Sequence, residues 1–276
     1  MRVSIVDAFT DRPFAGNPAG VVLLEGSFPD DGWLHQVAAE IGLPETAFLL
    51  PTPDDADACW ALRWFTPTTE VNMCGHATLA SAHALHTHGL VRGTARFATR
   101  SGVLSATVAD DGTVTLDFPT SPLTRVDPPA EVAAALGTDV LSVHETGAAV
   151  GEPVVEVADE ETVRRLTPDL ALVAALPWRG GAIVTAPAAD PAAGYDFVSR
   201  CFFPGIGIDE DPVTGAAHTA LAPFWSARLG ATDLVGFQAS ARGGLVRTEL
   251  RGDRTLLRGS AVTVIDGDLL APPPVA

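Results

Sequence analysis

Two stretches of this chain, Gly75–Leu85 and Gly215–Ala227, contain no Asp, Glu or Arg, and there is no Lys anywhere. Each is long enough for about three helical turns. A helix with no polar face must be buried on every side. Among segments that otherwise read mostly as strands, this predicts a helix enclosed by sheet. The stretches open alike, as Gly75-His76-Ala77 and Gly215-Ala216-Ala217, an offset of 215 − 75 = 140 in 276 residues. A repeat at about half the chain length reads as an internal duplication. The length also suits two lobes better than one core.

The remaining pattern fits that frame. Arg2–Phe9, Gly20–Leu24, Thr46–Leu50, Trp60–Phe65, Ala95–Thr99, Val103–Val108 and Thr113–Phe118 are rich in β-branched and aromatic residues and read as strands. Asp31–Ile41 reads as an amphipathic helix, and Gly89 as the stop of a helix that begins at Gly75. In the second half, helices are expected at Ala130–Leu136, Glu160–Leu166, Pro168–Ala175 and Thr214–Leu229. Strands are expected at Ala182–Thr185, Tyr195–Phe203, Leu234–Ala239, Gly244–Leu250, Thr255–Arg258 and Ala261–Ile265. The Pro-bearing stretch Pro119–Pro129 is the expected joint. This gives lobes of residues 1–120 and 121–276, with the last strands free to cross back.

Composition excludes several chemistries. All 17 basic residues are Arg, so neither a Schiff-base lysine nor a phosphate-gripping P-loop lysine is available. A formal charge of −17 disfavours nucleic acid and anionic lipid as partners. Val71–Val91 lacks Asp, Glu and Arg but holds Asn72 and four histidines, so a buried helix is expected rather than a membrane span. Cys59, Cys74 and Cys201 have no paired spacing, and the start MRVSIVDAF alternates like a strand; both fit a cytoplasmic protein. His76, His83, His86 and His88 cluster without an acidic residue between Val71 and Val91, and zinc spacings such as HExxH are absent. No metal is therefore expected. No GxGxxG occurs, so no nucleotide cofactor is expected either.

Three places could carry chemistry. The glycines at the two helix starts expose backbone N–H groups that lack helical partners and carry partial positive charge. Two such ends aimed at a shared cleft would bind a carboxylate without Lys, metal or nucleotide; close packing alone explains the glycines equally well. Glu45 stands as a lone carboxylate in the apolar run Ile41–Leu50. Burial would raise its pKa and suit it to exchanging protons. On the residues alone, an exposed turn glutamate after Pro44 is the simpler reading. In Gly207–Gly215, Asp209, Glu210 and Asp211 precede a helix that needs one capping acid at most.

Six strings together resemble the PhzF-like (phenazine biosynthesis protein F) family. They are Phe14–Val21, Pro44–Phe48, Arg63–Pro67, Cys74–Ala80, Glu210–Gly215 and the segment QASARGG from Gln238 to Gly244, in family order from the first strand to the last. The resemblance implies an α+β, diaminopimelate-epimerase-like fold: two pseudo-symmetric lobes, each a mostly antiparallel sheet or barrel around a central buried helix. It implies a homodimer without cofactor or metal, acting on a small carboxylated and in some cases amino-bearing metabolite in specialised (secondary) metabolism. Glu45 matches the acid/base that takes a proton from one carbon and returns it to another. His76 and Asp211 match residues that orient substrate. Gly75 and Gly215, with Ala216, match the helix starts that receive its carboxylate, and Asn17 lies in the first matching string. Asn72 stands where the family often has Asp, and Ala216 where it often has Ser, which removes a charge and a hydroxyl and argues against the phenazine precursor itself as substrate. Cys74 matches the first of the paired cysteines of related epimerases, but Pro212 occupies the place of the second. A proton-shifting isomerase is thus the leading expectation. The alternatives are a racemase or epimerase using Cys74 with a second acid such as Asp211, and a binding protein that has lost catalysis.

Overall fold

The computed structural model describes residues 1–52, 55 and 57–273. The chain begins with β1 (Arg2–Ala8), β2 (Asn17–Leu23), α1 (Asp31–Ile41), β3 (Glu45–Pro51), β4 (Trp60–Phe65) and β5 (Glu70–Val71). It continues with α2 (Gly75–Thr87), β6 (Gly93–Thr99), β7 (Gly102–Val108), β8 (Val114–Pro119), β9 (Leu123–Val126) and α3 (Ala130–Leu136). Next come β10 (Ser142–Thr146), β11 (Val154–Glu156), α4 (Glu160–Arg165), α5 (Leu170–Ala174), β12 (Ala182–Pro187) and β13 (Phe197–Phe203). Last are β14 (Ile208–Asp211), α6 (Gly215–Leu229), β15 (Asp233–Gln238), β16 (Gly244–Arg251), β17 (Arg254–Gly259) and β18 (Ala261–Asp268). Two compact units divide these elements: residues 1–117 with 258 onward, and residues 118–257.

In the first unit β18 pairs antiparallel with β1, and β1 with β2. Then β2 runs parallel to β3, β3 antiparallel to β4, β4 parallel to β6, and β6 antiparallel to β7. Short β5 pairs with β4 and delivers the chain to α2. The second unit repeats the order: β9 against β10, β10 against β11, β11 parallel to β12, β12 against β13, β13 parallel to β15, and β15 against β16. Short β14 pairs with β13 and delivers the chain to α6. Each unit is thus an α+β layer with the same two parallel pairings around one helix.

Both helices are enclosed as their sequences require. α2 packs on β1, β2, β3, β7 and β18, and α6 on β9, β15 and β16. Around α6, Phe197 stacks on Trp225 with ring centroids 5.7 Å apart. A Cβ on Gly236 would lie 2.5 Å from the Phe197 ring and 2.9 Å from His218 Nε2, so only glycine lets β15 approach this closely. Pro223 lies inside α6 and cannot donate to the Thr219 carbonyl one turn earlier. Ser121 N–H donates to that carbonyl instead, at 3.1 Å, so a helix breaker survives in a buried helix.

The stretch Pro119–Pro129 is not a free linker. It carries β9, which pairs with β10, and the boundary between units falls just before it. Strands β5, β9, β10, β11 and β14 escaped the sequence pattern; β5 and β11 are too short for alternation to show. No helix among the described residues is long and apolar enough to cross a membrane.

Phe197 is fully buried and holds the aromatic stack against α6. Phe197→Ala should lower unfolding free energy by about 3–5 kcal/mol, read as a shifted urea midpoint. A loss below about 1 kcal/mol would show that α6 is held some other way.

Candidate active site

In the first unit, side chains from three separate places converge. Glu45 opens β3 just after α1, which ends at Gly42 in the left-handed region (φ +67°). Asn17 opens β2, and the residue before it must be glycine: Gly16 has φ +64°, and a Cβ there would sit 2.1 Å from the Ala8 carbonyl oxygen. Cys74 is the N-cap of α2, and His76 is the helix's second residue. His76 Nε2 lies 3.2 Å from Glu45 Oε2. Its Nδ1 lies 3.3 Å from Asn17 Nδ2 and 3.5 Å from Cys74 Sγ. The His76 and Glu45 side chains are 7% and 12% exposed. Glu45 is therefore no exposed turn residue.

Burial holds the His76 pKa down to about 3, so the ring is neutral near pH 7. The Asn17 amide nitrogen can only donate, so Nδ1 accepts. The ring proton then sits on Nε2 and faces the Glu45 carboxylate. The contact is a close approach of a neutral ring to a carboxylate, without hydrogen-bond alignment, and not a pair of full charges. Glu45, Cys74 and His76 also offer three potential metal-ligand atoms within 4.8 Å of one another.

The second unit builds a different helix start at the equivalent place. Asp211 ends β14 and is buried. Its Oδ2 accepts from the Thr214 hydroxyl at 2.5 Å. Gln238, fully buried at the end of β15, accepts from Thr214 N–H at 2.8 Å. Its amide nitrogen donates to the Asp211 carbonyl at 2.8 Å and to Thr214 Oγ1 at 3.1 Å. Ser240 Oγ donates to the Pro212 carbonyl at 2.7 Å. The hydrogen-bond direction is thus set from Gln238 through Thr214 to Asp211.

The two starts share a device. The N-cap carbonyl of α2, on Cys74, accepts from the Thr78 hydroxyl at 2.6 Å. The N-cap carbonyl of α6, on Thr214, accepts from His218 Nδ1 at 2.8 Å. Thr78 and His218 are again 218 − 78 = 140 residues apart. Neither N-cap side chain turns back to the first-turn N–H groups. By contrast, Asp30, Asp159 and Asp169 cap α1, α4 and α5. The central helices share with α3 the lack of a side-chain cap, but unlike α3, which has Glu131, they have no acidic residue in the first turn.

Of the residues singled out by sequence, Asn17, Glu45, Cys74 and His76 come together, and Gly75 opens the helix beside them. Asp211 and Gly215 meet at the start of α6. Ala216 follows, and its carbonyl accepts from Thr219 Oγ1 at 2.7 Å. Asn72 is exposed, and its carbonyl accepts from Ser101 Oγ at 2.8 Å. Sequence reasoning gave no role to Gln238, Thr214 or His218. Gln238 lay within a family-like string, and the position of His218, 140 residues after Thr78, was the one other available signal.

Comparison with known proteins places these features in context. Residues 6–267 match the family model described as phenazine biosynthesis-like protein. An uncharacterized isomerase of Halalkalibacterium halodurans is 42% identical over 97% of this chain and 98% of its own. A crystal structure of a PhzF-family phenazine biosynthesis protein from Enterococcus faecalis is 39% identical, with a TM-score of 0.89 over 98% of this chain and 99% of that one. A probable proline racemase from Agrobacterium radiobacter shares the fold at 14% identity, with a TM-score of 0.64 over 99% and 93% of the two chains.

Two buried rings make a pH prediction. Burial depresses His76 to about 3 and His218 to about 4, from an ordinary value of 6.5. Below pH 6.5 the unfolded chain binds protons that the folded chain refuses. The stability these rings contribute is therefore complete above pH 6.5 and lost as pH falls toward 4, by about 1.4 kcal/mol per pH unit for each ring. Urea midpoints at stepped pH should show this fall, and His76→Gln should make it shallower. Equal pH slopes in wild type and variant would count against a buried, neutral His76.

Proposed function

The chain belongs to the phenazine biosynthesis-like protein family, and on that footing we propose that it is a cofactor-independent isomerase that shifts a proton on a small carboxylated metabolite. The observation that carries this reading is the Glu45 carboxylate, half-buried and faced at 3.2 Å by a neutral imidazole. A carboxylate in that setting takes a proton from an acidic C–H and returns it to another carbon on the same face of the substrate. His76 lies beside the carboxylate as a neutral ring. Each unit by itself offers a helix start, at Gly75 and at Gly215, whose first-turn N–H groups its N-cap side chain leaves uncapped, and such groups suit a carboxylate. In the same reading Asp211, held by Thr214, orients polar groups of the substrate. Ala216 offers no hydroxyl there, which favours a substrate other than the phenazine precursor. A homodimer acting in the cytoplasm completes the proposal.

An epimerase that uses two bases on opposite faces of one carbon fits less well. Cys74 and Glu45 lie in one cluster, and Pro212 stands at the second-cysteine position of related enzymes.

The test follows solvent deuterium into candidate unsaturated or amino-bearing carboxylic acids by mass spectrometry. Glu45→Gln should lose at least about 10²–10⁴-fold in turnover while keeping the fold and ligand-induced thermal stabilisation. Cys74→Ser should retain turnover. Near-normal turnover by Glu45→Gln would end the proposal, and label confined to one inverted carbon would replace it with epimerisation.

A further inference from the structure

We propose that Gln238 is a positioning residue: acting through the Thr214 hydroxyl, it keeps the buried Asp211 carboxylate ionised and facing one way. The directions of the bonds follow from residue chemistry. A backbone N–H can only donate, so the Gln238 oxygen is the atom that accepts from Thr214 N–H at 2.8 Å. The amide nitrogen is then turned toward the Asp211 carbonyl at 2.8 Å and Thr214 Oγ1 at 3.1 Å, and to both it can only donate. Thr214 Oγ1 therefore receives a hydrogen from Gln238, and its own hydrogen goes to Asp211 Oδ2 at 2.5 Å. A carboxylate pinned through one oxygen cannot rotate about its Cβ–Cγ bond.

Burial makes this chain of bonds obligatory. Gln238 is fully buried and Asp211 is 9% exposed, so neither side chain has bulk water to fall back on. Without the amide, the Asp211 carbonyl loses its donor and competes with the carboxylate for the one Thr214 hydrogen. A hydroxyl that donates to a carboxylate favours its charged form. Loss of that bond therefore raises the pH at which Asp211 takes up a proton. The turn after β15 braces the same segment: Ser240 Oγ accepts from Gly243 N–H at 3.1 Å and donates to the Pro212 carbonyl. The neighbouring ionisable groups are Glu210, paired with Arg200 at 2.7 Å, Glu152, beside Arg179 at 3.6 Å, and the Cys201 thiol, which burial keeps protonated. The use of Asp211 on a substrate rests on the function proposed above, whereas its alignment by Gln238 does not.

The experiment uses the full chain with ¹³C-labelled aspartate carboxyls, followed by NMR at stepped pH, with Asp211→Asn identifying the Asp211 signal. Thr214→Val should raise the Asp211 midpoint by about one pH unit, the loss of one hydrogen bond to a charged group. Thr214→Ser, which keeps the hydroxyl, should restore the wild-type midpoint. Gln238→Met should raise the midpoint by at least about 0.3 unit, the share that one bond adds in a coupled chain. That rise should vanish in the Gln238→Met/Thr214→Val double variant, because the hydroxyl that carries it is gone. A cooperative urea transition certifies that each variant is folded. Should Gln238→Met fail to fold, Gln238→Glu keeps the side chain's shape and its acceptor for Thr214 N–H, and the part of its rise that disappears with Thr214→Val is the measure. A midpoint unmoved by the change at Gln238, or moved equally with and without the Thr214 hydroxyl, would overturn the inference. The readout is the carboxyl group itself, so its failure stands apart from any failure of Glu45→Gln to lose turnover.

Discussion

A helix with no charged face has to lie against apolar neighbours along its whole length, and in both units the strands close around such a helix. That enclosure sets the electrostatics of everything attached to it. His76 and His218, each inside one of these helices, are pushed to neutrality by desolvation and not by neighbouring charge. Enclosure also dictates how the helices begin. A surface helix can take an Asp cap, as α1, α4 and α5 do. At the start of α2 and α6 the N-cap side chains are engaged elsewhere, Cys74 with His76 and Thr214 with Asp211. Neither N-cap side chain therefore caps its helix, and neither first turn carries an acidic residue.

The same enclosure explains which parts of the molecule could be read from residues alone. An absence of charge over three turns is a strong signal, so α2 and α6 were legible, and their 140-residue offset extends to the repeated strand order. The shortest strands, β5 and β11, were not legible, because two or three residues cannot display a period of two. Short strands depend for their existence on partners far along the chain, as with β9 on β10. Glu45 marks the boundary. Its surroundings in sequence do not distinguish a turn carboxylate from a buried one, and only the parallel pairing of β3 with β2 places it by the Asn17 and His76 groups. The family-like strings pointed to Glu45 without supplying that reason.

Gln238 shows another limit. Its side chain makes three hydrogen bonds that hold the start of α6, yet glutamine at a strand end carries no sequence signature of its own. A buried amide with these three bonds directed at one helix start is a structural finding in the strict sense: the burial cost of the amide is offset because Thr214 and Asp211 are there to receive it.

The duplicated units then differ where chemistry would be expected to differ. In the first, the positions at the helix start hold a thiol and an imidazole, and a carboxylate from β3 faces them. In the second, the equivalent positions hold Thr214 and Ala216, braced by Gln238 and Ser240. The second start is tied by directional hydrogen bonds whose donors and acceptors are fixed by residue type. The first sets a thiol and a neutral imidazole beside a carboxylate. Divergence of one ancestral helix start into a held end and a proton-bearing end accounts for both arrangements with the same fold, the same uncapped N–H groups and the same side-chain bond to the N-cap carbonyl.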